Sequence, residues 1–473
     1  MAFASLPFLV FLLVTLAAYW AAARRPRLRH SVLIAASYFF YGNFHPAFIA
    51  LLFAVSMADF RTARAIASSE GGRRRALVTL SVAVNLALLG SFKYLNFFGR
   101  GAADLLSLAG MDWDFEPLPI PLPVGLSFYV FQSISYAVDV YRKRLPPTES
   151  AFAHLAYMAF FPRLVAGPIV RAGEFVPQLA PRPRLSREDF GLAVFLLITG
   201  FVKKMAIADF LRENIVDRVF DFPAMYQTAE VLVASFAYSI QIYGDFAGYT
   251  DIALGLALLF GLRLPENFNF PYLATSLREF WHRWHISLSA WLRDYLYISL
   301  GGNRASSLKV YRNLMITMVL GGLWHGAAWS FVIWGALHGG ALAVTRYWQR
   351  RTERRGVVKE HGPVMHAFLV VCTFIFVTIA WVFFRADDMR TISDMAGQLG
   401  TMTWRTTNVS ARVWIVMGLA AAGMWCPPRL YEKLRGLFVR APVPVQIGIG
   451  LAVGYGLYRF SSSALAPFVY EKF

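Results

Sequence analysis

The sequence predicts an all-α protein that crosses a membrane many times, and three observations support this fold class. First, 57% of the 473 residues are hydrophobic and only 16% are charged, which is more apolar than soluble domains are. Second, many apolar runs approach the roughly 17–25 residues that a helix needs to cross a bilayer. Third, strongly basic loops alternate with loops that are poor in basic residues, as in polytopic membrane proteins.

The first five apolar runs predict a consistent topology. Because the basic residues of the first run follow it, we expect a retained helix with its N-terminus outside, rather than a cleaved signal peptide. The basic loops 61–75 and 142–147 then lie in the cytoplasm, and the acidic segment 99–123 lies outside. The predicted spans in this part of the chain are 6–22, 31–41, 47–60, 76–94 and 124–141.

The apolar pattern becomes less regular after residue 150. Segment 151–175 is interrupted by Pro162, Gly167 and Pro168. Because proline strains a helix, and irregular backbone at membrane depth needs protein or a water-filled cavity around it, we predict a re-entrant segment. Arg163 and Arg171 are then expected near its cytoplasmic mouth. An ordinary kinked span is the alternative.

Segment 278–300 has a different pattern, in which aromatic and leucine side chains recur near helical spacing with arginines between them. This pattern predicts an amphipathic helix at the membrane surface or under the bundle. The other predicted helices are 190–210, 230–243, 313–326, 329–347, 366–384, 414–426 and 443–458. Together these segments predict about eleven to thirteen membrane elements in one domain, 1–473.

The net charge of +18 raises the possibility of nucleic-acid binding. The excess of Lys and Arg in cytoplasmic loops is the stronger explanation, so we expect membrane lipids and no nucleic acid as partners. The two cysteines, Cys372 and Cys426, lie in or beside apolar runs. Their spacing indicates neither a metal site nor a disulfide framework.

His325 is the strongest single candidate for chemistry, because it lies in an otherwise apolar hairpin. An ionisable residue inside a span is costly and therefore suggests a function. Imidazole can accept a proton from a hydroxyl near neutral pH, and the neighbouring glycines are expected to make room for a substrate. The alternative is a structural histidine that is hydrogen-bonded to a neighbouring carbonyl.

Two further groups are less specific. His282 and His285 are three residues apart and would share a helix face, but without a third ligand they do not predict a metal site. Asp245 and Asp251 lie in an apolar region, so each should have a cationic partner or face water. The candidates for that partner are Arg283, Arg293, Lys203 and Lys204, and the sequence does not choose among them.

Four motifs resemble the membrane-bound O-acyltransferase (MBOAT) family, and in particular its bacterial branch that modifies exported polysaccharides. They are, in order, YGDFAGYTDIALG from Tyr243, PENFNFPY from Pro265, FWHRWHISLSAWLRDYLYISLGGNR from Phe280 and GGLWHG from Gly321. Weaker similarity extends over nearly the whole chain. One departure is His282, where most relatives are expected to have arginine.

The resemblance implies about eleven transmembrane helices with re-entrant and amphipathic helices around a central tunnel. It matches His325 to the catalytic histidine of the family, as the general base. It matches His285 to the second catalytic histidine, which, or else a nearby amide, would orient His325 or stabilise the developing oxyanion. The basic rim of Arg278, Arg283, Arg293 and Arg304 would attract the phosphates of coenzyme A. The residues expected to bind substrate are Arg278, Arg283, Trp324, Asp245 and Tyr249.

The resemblance also implies an enzyme that moves an acetyl group from acetyl-CoA, or from an acyl-carrier donor, to hydroxyls of an exported, alginate-like polysaccharide. A periplasmic acetyltransferase partner could relay the group. No permanently bound cofactor and no metal are expected. The implied location is the bacterial inner membrane, with a periplasmic N-terminus.

Two alternatives stay open at this point. Within the same class, the acyl group could be D-alanyl and the acceptor a cell-wall polymer or peptidoglycan. In a different class, the chain could be a polysaccharide transporter or a scaffold without enzymatic activity. The absence of repeated pseudo-halves in the sequence counts against a transporter.

Overall fold

The computed structural model describes residues 3–111, 113–304, 306–354 and 362–460. Throughout these ranges the regular structure is helical, and the extended pairing is limited to an isolated bridge between Phe268 and Trp284. The all-α class is therefore confirmed. The chain divides into an N-terminal unit, Met1–Ser186 with Leu256–Pro265, and a C-terminal unit, Arg187–Gly255 with Glu266–Phe473. The single domain 1–473 stays a prediction.

The described residues of the N-terminal unit before position 187 form nine helices. They are α1 Leu6–Ala21, α2 Pro26–Gly42, α3 Ala47–Ala67, α4 Gly71–Lys93, α5 Leu95–Leu108, α6 Leu126–Tyr141, α7 Ala151–Ala159, α8 Phe161–Leu164 and α9 Ala172–Leu179. All five spans predicted for this part are helices. α2 begins earlier than expected because Pro26 occupies its first position, where proline is pre-organised for a helix. The sequence did not predict α5.

The interrupted segment 151–175 is three short helices joined by breaks. Arg163 is buried, with 4% of its surface exposed, and its position near a cytoplasmic mouth stays a prediction. Its guanidinium donates to the side chain of Gln132 and to the carbonyl of Tyr157, and lies over the rings of Tyr157 and Phe175 at 5.2 and 5.3 Å. Because Tyr157 lies in the last turn of α7, Arg163 satisfies a carbonyl that the helix end leaves without an intrahelical donor.

The C-terminal unit contains the remaining helices. They are α10 Arg187–Phe201, α11 Asp217–Asp221, α12 Thr228–Leu259, α13 Leu277–Arg283, α14 Ile286–Trp291, α15 Ser307–His325, α16 Trp329–Arg354, α17 Pro363–Arg385, α18 Met389–Gly400, α19 Ala411–Met424, α20 Pro428–Arg440 and α21 Val443–Phe460. π-helical turns at Val202–Asp209 and Arg212–Val216 join α10 to α11, and another at Leu292–Tyr297 follows α14.

α10 and α12 approach closely at a pair of glycines. A Cβ at Gly200 would lie 2.8 Å from the carbonyl oxygen of Gly248, and a Cβ at Gly248 would lie 2.8 Å from that of Gly200. Both contacts are too short for any side chain. Gly248 of the GDFAGYT motif is therefore needed for the packing of α12 on α10.

Three helical segments of the described chain are long and apolar enough to cross a membrane, namely Gly71–Lys93, Arg187–Asp221 and Pro363–Arg385. A fourth is reached if α19 and α20, which meet at 92°, form one broken span. α1 has only 16 residues, whereas a straight span needs about 20. The membrane character is confirmed, but about eleven spans and a central tunnel stay predictions.

The predicted amphipathic helix 278–300 is not continuous. α13 ends at Arg283, and His285 has a left-handed backbone with φ of 43° before α14 begins. The aromatic and leucine stripe is buried as expected, at Trp281, Trp284, Leu288, Trp291, Leu292 and Tyr295. The break lies between the two histidines, so the prediction that His282 and His285 share a helix face is wrong. His282 is exposed, whereas His285 is buried.

Candidate functional site

His325 is the last residue of α15 and is buried, with 3% of its surface exposed. It is held there by the close packing of α15 against α16. A Cβ at Gly322 would lie 2.2 Å from the carbonyl oxygen of Phe331, and a Cβ at Gly326 would lie 2.0 Å from the Phe331 ring. The space beside both glycines is thus filled by Phe331, so the expectation that they make room for a substrate is wrong at Gly322 and Gly326.

Three aromatic side chains, here called the aromatic cage, surround the imidazole of His325. Its ring centroid lies 4.9 Å from that of Trp324, 5.2 Å from that of Trp334 and 5.1 Å from that of Phe384. Trp334 and Phe384 also contact each other at 5.4 Å. Such a cage excludes bulk water, and this strengthens every electrostatic interaction made inside it.

His285 is fixed between α13 and α14 by the PENFNFPY loop. The side-chain oxygen of Asn267 accepts hydrogen bonds from the backbone N–H and the hydroxyl of Ser287, at 3.1 and 2.8 Å, and the Asn267 carbonyl accepts one from Ile286 at 3.0 Å. Nδ1 of His285 lies 3.3 Å from the same side-chain oxygen. Because that oxygen can only accept, Nδ1 is the protonated nitrogen and Nε2 is the acceptor in the neutral ring.

Trp324 brings the two predicted catalytic histidines into one cluster. Its ring centroid lies 6.1 Å from that of His285 and 4.9 Å from that of His325. Phe246 of α12 covers the other side of His285 at 4.6 Å. The structure therefore places three of the predicted site residues in one cluster.

Asp245 and Tyr249 both lie on α12 and are buried. Asp245 is paired with Lys204 at 2.6 Å, and Lys204 also binds Asp209 at 2.8 Å. The sequence had left four candidate partners for Asp245, and the structure selects Lys204. Since a buried carboxylate needs such a partner, this ion pair accounts for Asp245 structurally.

A cavity of about 360 Å³ opens beside α13, α14, α15 and α16. Its lining combines apolar side chains with three arginines, two amides and a histidine. The polar lining residues are Arg278, His282, Ser289, Arg293, Tyr297, Asn303, Thr317, Thr345, Arg346 and Gln349. A cavity of this size with convergent cationic groups is suited to an anionic ligand.

The four arginines of the predicted rim have different environments. Arg278 and Arg293 line the cavity, although Arg293 also pairs with Asp294 at 2.7 Å. Arg283 pairs with Glu279 at 2.7 Å and donates to the carbonyl of Asn269 at 3.2 Å, and it is not among the lining residues. Arg346, which the sequence analysis missed, lines the cavity from α16.

Two indole rings connect the cavity wall to His325. Trp281 lines the cavity, and its ring centroid lies 5.8 Å from that of Trp334, a member of the aromatic cage. His338 lies against both indoles, at 5.2 Å from Trp281 and 4.8 Å from Trp334. The sequence analysis gave His338 no specific role.

Four buried side chains near this connection, here called the polar seam, have polar atoms without a hydrogen-bond partner among the described residues. The atoms are Nε1 of Trp281, Nε1 of Trp334, Oγ of Ser330 and both ring nitrogens of His338. Ser330, Trp334 and His338 are four residues apart and form one face of α16. Buried polar groups are nearly always satisfied by protein, water or a ligand, so the polar seam is a candidate binding site.

No group of three or more His, Cys, Asp or Glu side chains suited to a metal ion is found in the parts of the chain that the structure describes. The histidine pair that raised the question is also separated, because His282 faces the cavity and His285 faces the aromatic interior.

Comparison with known proteins decides the family. The family model described as membrane-bound O-acyltransferase matches residues 142–386, which is more than half of the chain and includes every predicted site residue. The chain belongs to the MBOAT family. The resemblance inferred from the four motifs is thereby confirmed, and this MBOAT protein is a membrane O-acyltransferase.

Curated relatives cover most of this MBOAT chain. It is 40% identical over 477 residues to the "Probable alginate O-acetylase AlgI" of Pseudomonas putida, covering 98% of this chain and 95% of the relative. It is 42% identical over 394 residues to the protein of the same name from Pseudomonas aeruginosa, covering 82% and 73%. It is also 35% identical over 410 residues to the "Peptidoglycan O-acetyltransferase" of Helicobacter pylori, covering 80% and 75%.

Proposed function

We propose that this protein transfers an acetyl group from a cytoplasmic thioester donor to hydroxyls of an exported polysaccharide, and that the reaction takes place at His325. The observation that supports this most directly is the position of His325, which is buried in the aromatic cage and two indole rings away from an arginine-lined cavity. Relatives named alginate O-acetylase support an alginate-like acceptor.

The proposed reaction needs one proton acceptor. The hydroxyl oxygen attacks the thioester carbonyl carbon, a C–O bond forms, and the C–S bond breaks. His325 takes the hydroxyl proton and returns it to the departing thiolate, so that atoms and charge balance. General base catalysis of this kind contributes roughly 10²–10⁴ in rate.

His285 is proposed as a positioning residue for this step. Its Nδ1–H is directed to Asn267, so the neutral ring presents Nε2 as an acceptor. An acceptor nitrogen can orient an O–H or N–H group that donates to it. Stabilisation of an oxyanion would instead need a hydrogen-bond donor. Trp324, which contacts both histidines, would fix their relative orientation.

The cavity is proposed to bind the phosphates of the donor. Its cations are Arg278, Arg293 and Arg346. Arg283 is held by Glu279 and is not among the lining residues. Guanidinium groups bind phosphate oxygens with paired hydrogen bonds. Direct substrate contact by Arg283, Asp245 and Tyr249 is part of the proposal, although Arg283 and Asp245 already have charged partners in Glu279 and Lys204.

The polar seam is proposed to bind the pantetheine arm of the donor on its way from the cavity to His325. That arm carries amide groups, which can both donate and accept, and the seam presents indole N–H groups, a hydroxyl and an imidazole. Coenzyme A and an acyl-carrier protein share this arm. The proposal therefore holds for either donor.

The acceptor hydroxyl is proposed to approach from the periplasmic side, either on the polymer itself or on a periplasmic acetyltransferase partner that passes the acetyl group on. Peptidoglycan is the second candidate acceptor, because one relative carries that name. We also propose that the protein resides in the bacterial inner membrane with its N-terminus in the periplasm. The basic loops 61–75 and 142–147 support this orientation.

The test uses the full chain in proteoliposomes with radiolabelled acetyl-CoA and, in parallel, an acetylated carrier protein. Acetylated alginate oligosaccharide is the product measured, with peptidoglycan fragments as the second acceptor. His325→Ala should lower transfer by about 10²–10⁴, while His366→Ala, which changes an exposed histidine on α17, should leave it unchanged. Transfer by His325→Ala at the wild-type rate would overturn the proposal.

A further inference from the structure

The broken pair α19 and α20 leaves one helix with no role in the chemistry. α19 ends at Met424, and α20 begins at Pro428 after a turn of 92°. Pro427 and Pro428 explain the break, because proline cannot continue the hydrogen-bonding pattern of the preceding helix and constrains the residue before it. With a length of 13 residues, α20 is too short to cross a bilayer, which needs about 20.

α20 carries an exposed apolar stripe. Leu430, Leu434 and Leu437 are 47%, 52% and 61% exposed. At 3.6 residues per turn these three side chains lie within about 60° of arc on the helix. Leucines exposed in this pattern are unfavourable in water and favourable in a lipid acyl region.

A basic stripe runs beside the leucines. Arg429, Lys433 and Arg440 lie within about 40° of arc, roughly 90° from the leucine stripe. All three are exposed, and none has an acidic side chain within ion-pair distance among the described residues. In contrast, Arg435, which lies off this stripe, is paired with Glu432.

The remaining face of α20 is fixed to the C-terminal unit. Tyr431 and Phe438 pack on Phe195 of α10, with ring centroids 5.8 and 5.6 Å apart. The buried side-chain amide of Gln446 donates to the carbonyls of Phe438, Val439 and Ala441 at 3.0, 3.0 and 3.2 Å, which closes the C-terminal end of the helix. The direction of α20 is thereby set by protein contacts, and its leucine and basic stripes stay exposed.

We propose that α20 lies in the plane of the membrane surface and binds the phosphate headgroups of anionic lipids. The leucines enter the acyl region, and Arg429, Lys433 and Arg440 lie at headgroup level, where each attracts anionic lipid. We favour an anionic lipid over a protein partner as the ligand, because the leucine stripe matches the acyl region of a bilayer and the basic stripe matches its headgroup level. This inference is independent of the proposed acyltransferase reaction.

The depth of α20 is the first test. The full chain, with Cys372→Ser and Cys426→Ser, is reconstituted in nanodiscs of phosphatidylcholine and phosphatidylglycerol, and a spin label is attached at Leu434→Cys or at Lys433→Cys. The label at 434 should lie about 5–10 Å below the headgroups, and the label at 433 should lie at headgroup level. Equal exposure of both labels to a water-soluble relaxation agent would overturn the proposal.

The lipid preference is the second test, read out by mass spectrometry of lipids that co-purify from mixed bilayers. The triple charge reversal R429E/K433E/R440E should lower the affinity for phosphatidylglycerol by about a hundredfold, since each basic residue contributes roughly fivefold. The charge-preserving control R429K/K433R/R440K should retain it. Unchanged phosphatidylglycerol retention in a charge-reversed variant with a wild-type unfolding temperature would show that no anionic lipid is bound there.

Discussion

His154 in the N-terminal unit and His325 in the C-terminal unit are both buried histidines surrounded by aromatic rings, but their neighbours differ. Around His154, Tyr136 hydrogen-bonds to Thr148 and Tyr157 donates to the carbonyl of Val170 at 3.0 Å. Around His325, Trp334 belongs to the polar seam, whose polar atoms lack a protein partner among the described residues. Burial among aromatic rings therefore does not by itself identify a catalytic histidine. Both ring nitrogens of His154 also lack a hydrogen-bond partner among the described residues, so an unsatisfied polar atom does not separate the two sites either. The difference is the arginine-lined cavity, which lies two indole rings from His325.

The largest effect should separate these two histidines. We expect His325→Ala to lower acetyl transfer per folded molecule by about 10²–10⁴, the usual contribution of a general base. His154→Ala should leave transfer per folded molecule unchanged. Each substitution should destabilise the protein by about 2–4 kcal/mol, because each leaves a cavity in packed aromatic surroundings. Transfer rates per folded molecule and unfolding midpoints in detergent measure the two effects. A loss of catalysis at full stability in His154→Ala would contradict the comparison.

The next effect should come from the loop that holds His285. Asn267→Ala removes the acceptor for Nδ1 of His285 and for Ser287, so the ring is no longer held in one orientation. We expect kcat to fall by up to about a hundredfold, as small misplacements at reacting groups can cause, while the KM for the donor changes little. Asn269→Ala, in the same loop, is the matched control. An effect on KM alone would argue that Asn267 serves donor binding instead.

A smaller and more selective effect is expected in the polar seam. His338→Phe keeps the ring packing but removes two nitrogens, and should raise the KM for acetyl-CoA and acetyl-pantetheine by about tenfold, the equivalent of one hydrogen bond. The KM for S-ethyl thioacetate, a thioester without amides, should not change. His338→Gln should restore part of the loss. Equal losses with all three donors would indicate a purely structural role for His338.

The smallest effect should distinguish the arginines. Arg278→Ala should raise the KM for acetyl-CoA by about fivefold, which is less than the loss of a fully buried charged hydrogen bond would cause. The KM for acetyl-pantetheine should not change, because that donor lacks the nucleotide phosphates. Arg283→Ala should raise the KM for acetyl-CoA by less than Arg278→Ala does, because the Arg283 side chain is paired with Glu279. Raising the salt concentration should reduce the difference between wild type and Arg278→Ala. A larger effect at Arg283 than at Arg278 would reverse the assignment.

Much of the fold could be predicted from the sequence because apolar runs and basic loops are strong signals in a membrane chain. The helix ends were less predictable where single residues decide them. At His285, for example, a left-handed backbone breaks the helix that the apolar spacing predicted. This conformation depends on the PENFNFPY loop, whose Asn267 lies outside the periodic segment and gives no local signal within it.

The candidate site was predictable in its residues but not in their partners. His325 and His285 could be found from motifs, whereas the choice of Lys204 for Asp245 depends on how α10 and α12 cross, which sequence spacing does not determine. The roles of Arg346 and His338 were not predicted, because a single arginine and a single histidine in a long helix form no distinctive sequence pattern. The repeat of Ser330, Trp334 and His338 at four-residue intervals was the available signal.

The glycines between α15 and α16 limit how a donor can reach His325. The Phe331 carbonyl lies against Gly322, and a Cβ at Gly335 would lie 2.4 Å from the carbonyl oxygen of Met318. The two helix backbones are therefore in direct contact and cannot slide past each other without a clash. On the proposed route, the donor must then enter by rotation of individual indole side chains, without movement of these two helices. Turnover in this protein should accordingly be insensitive to bilayer stiffness and thickness.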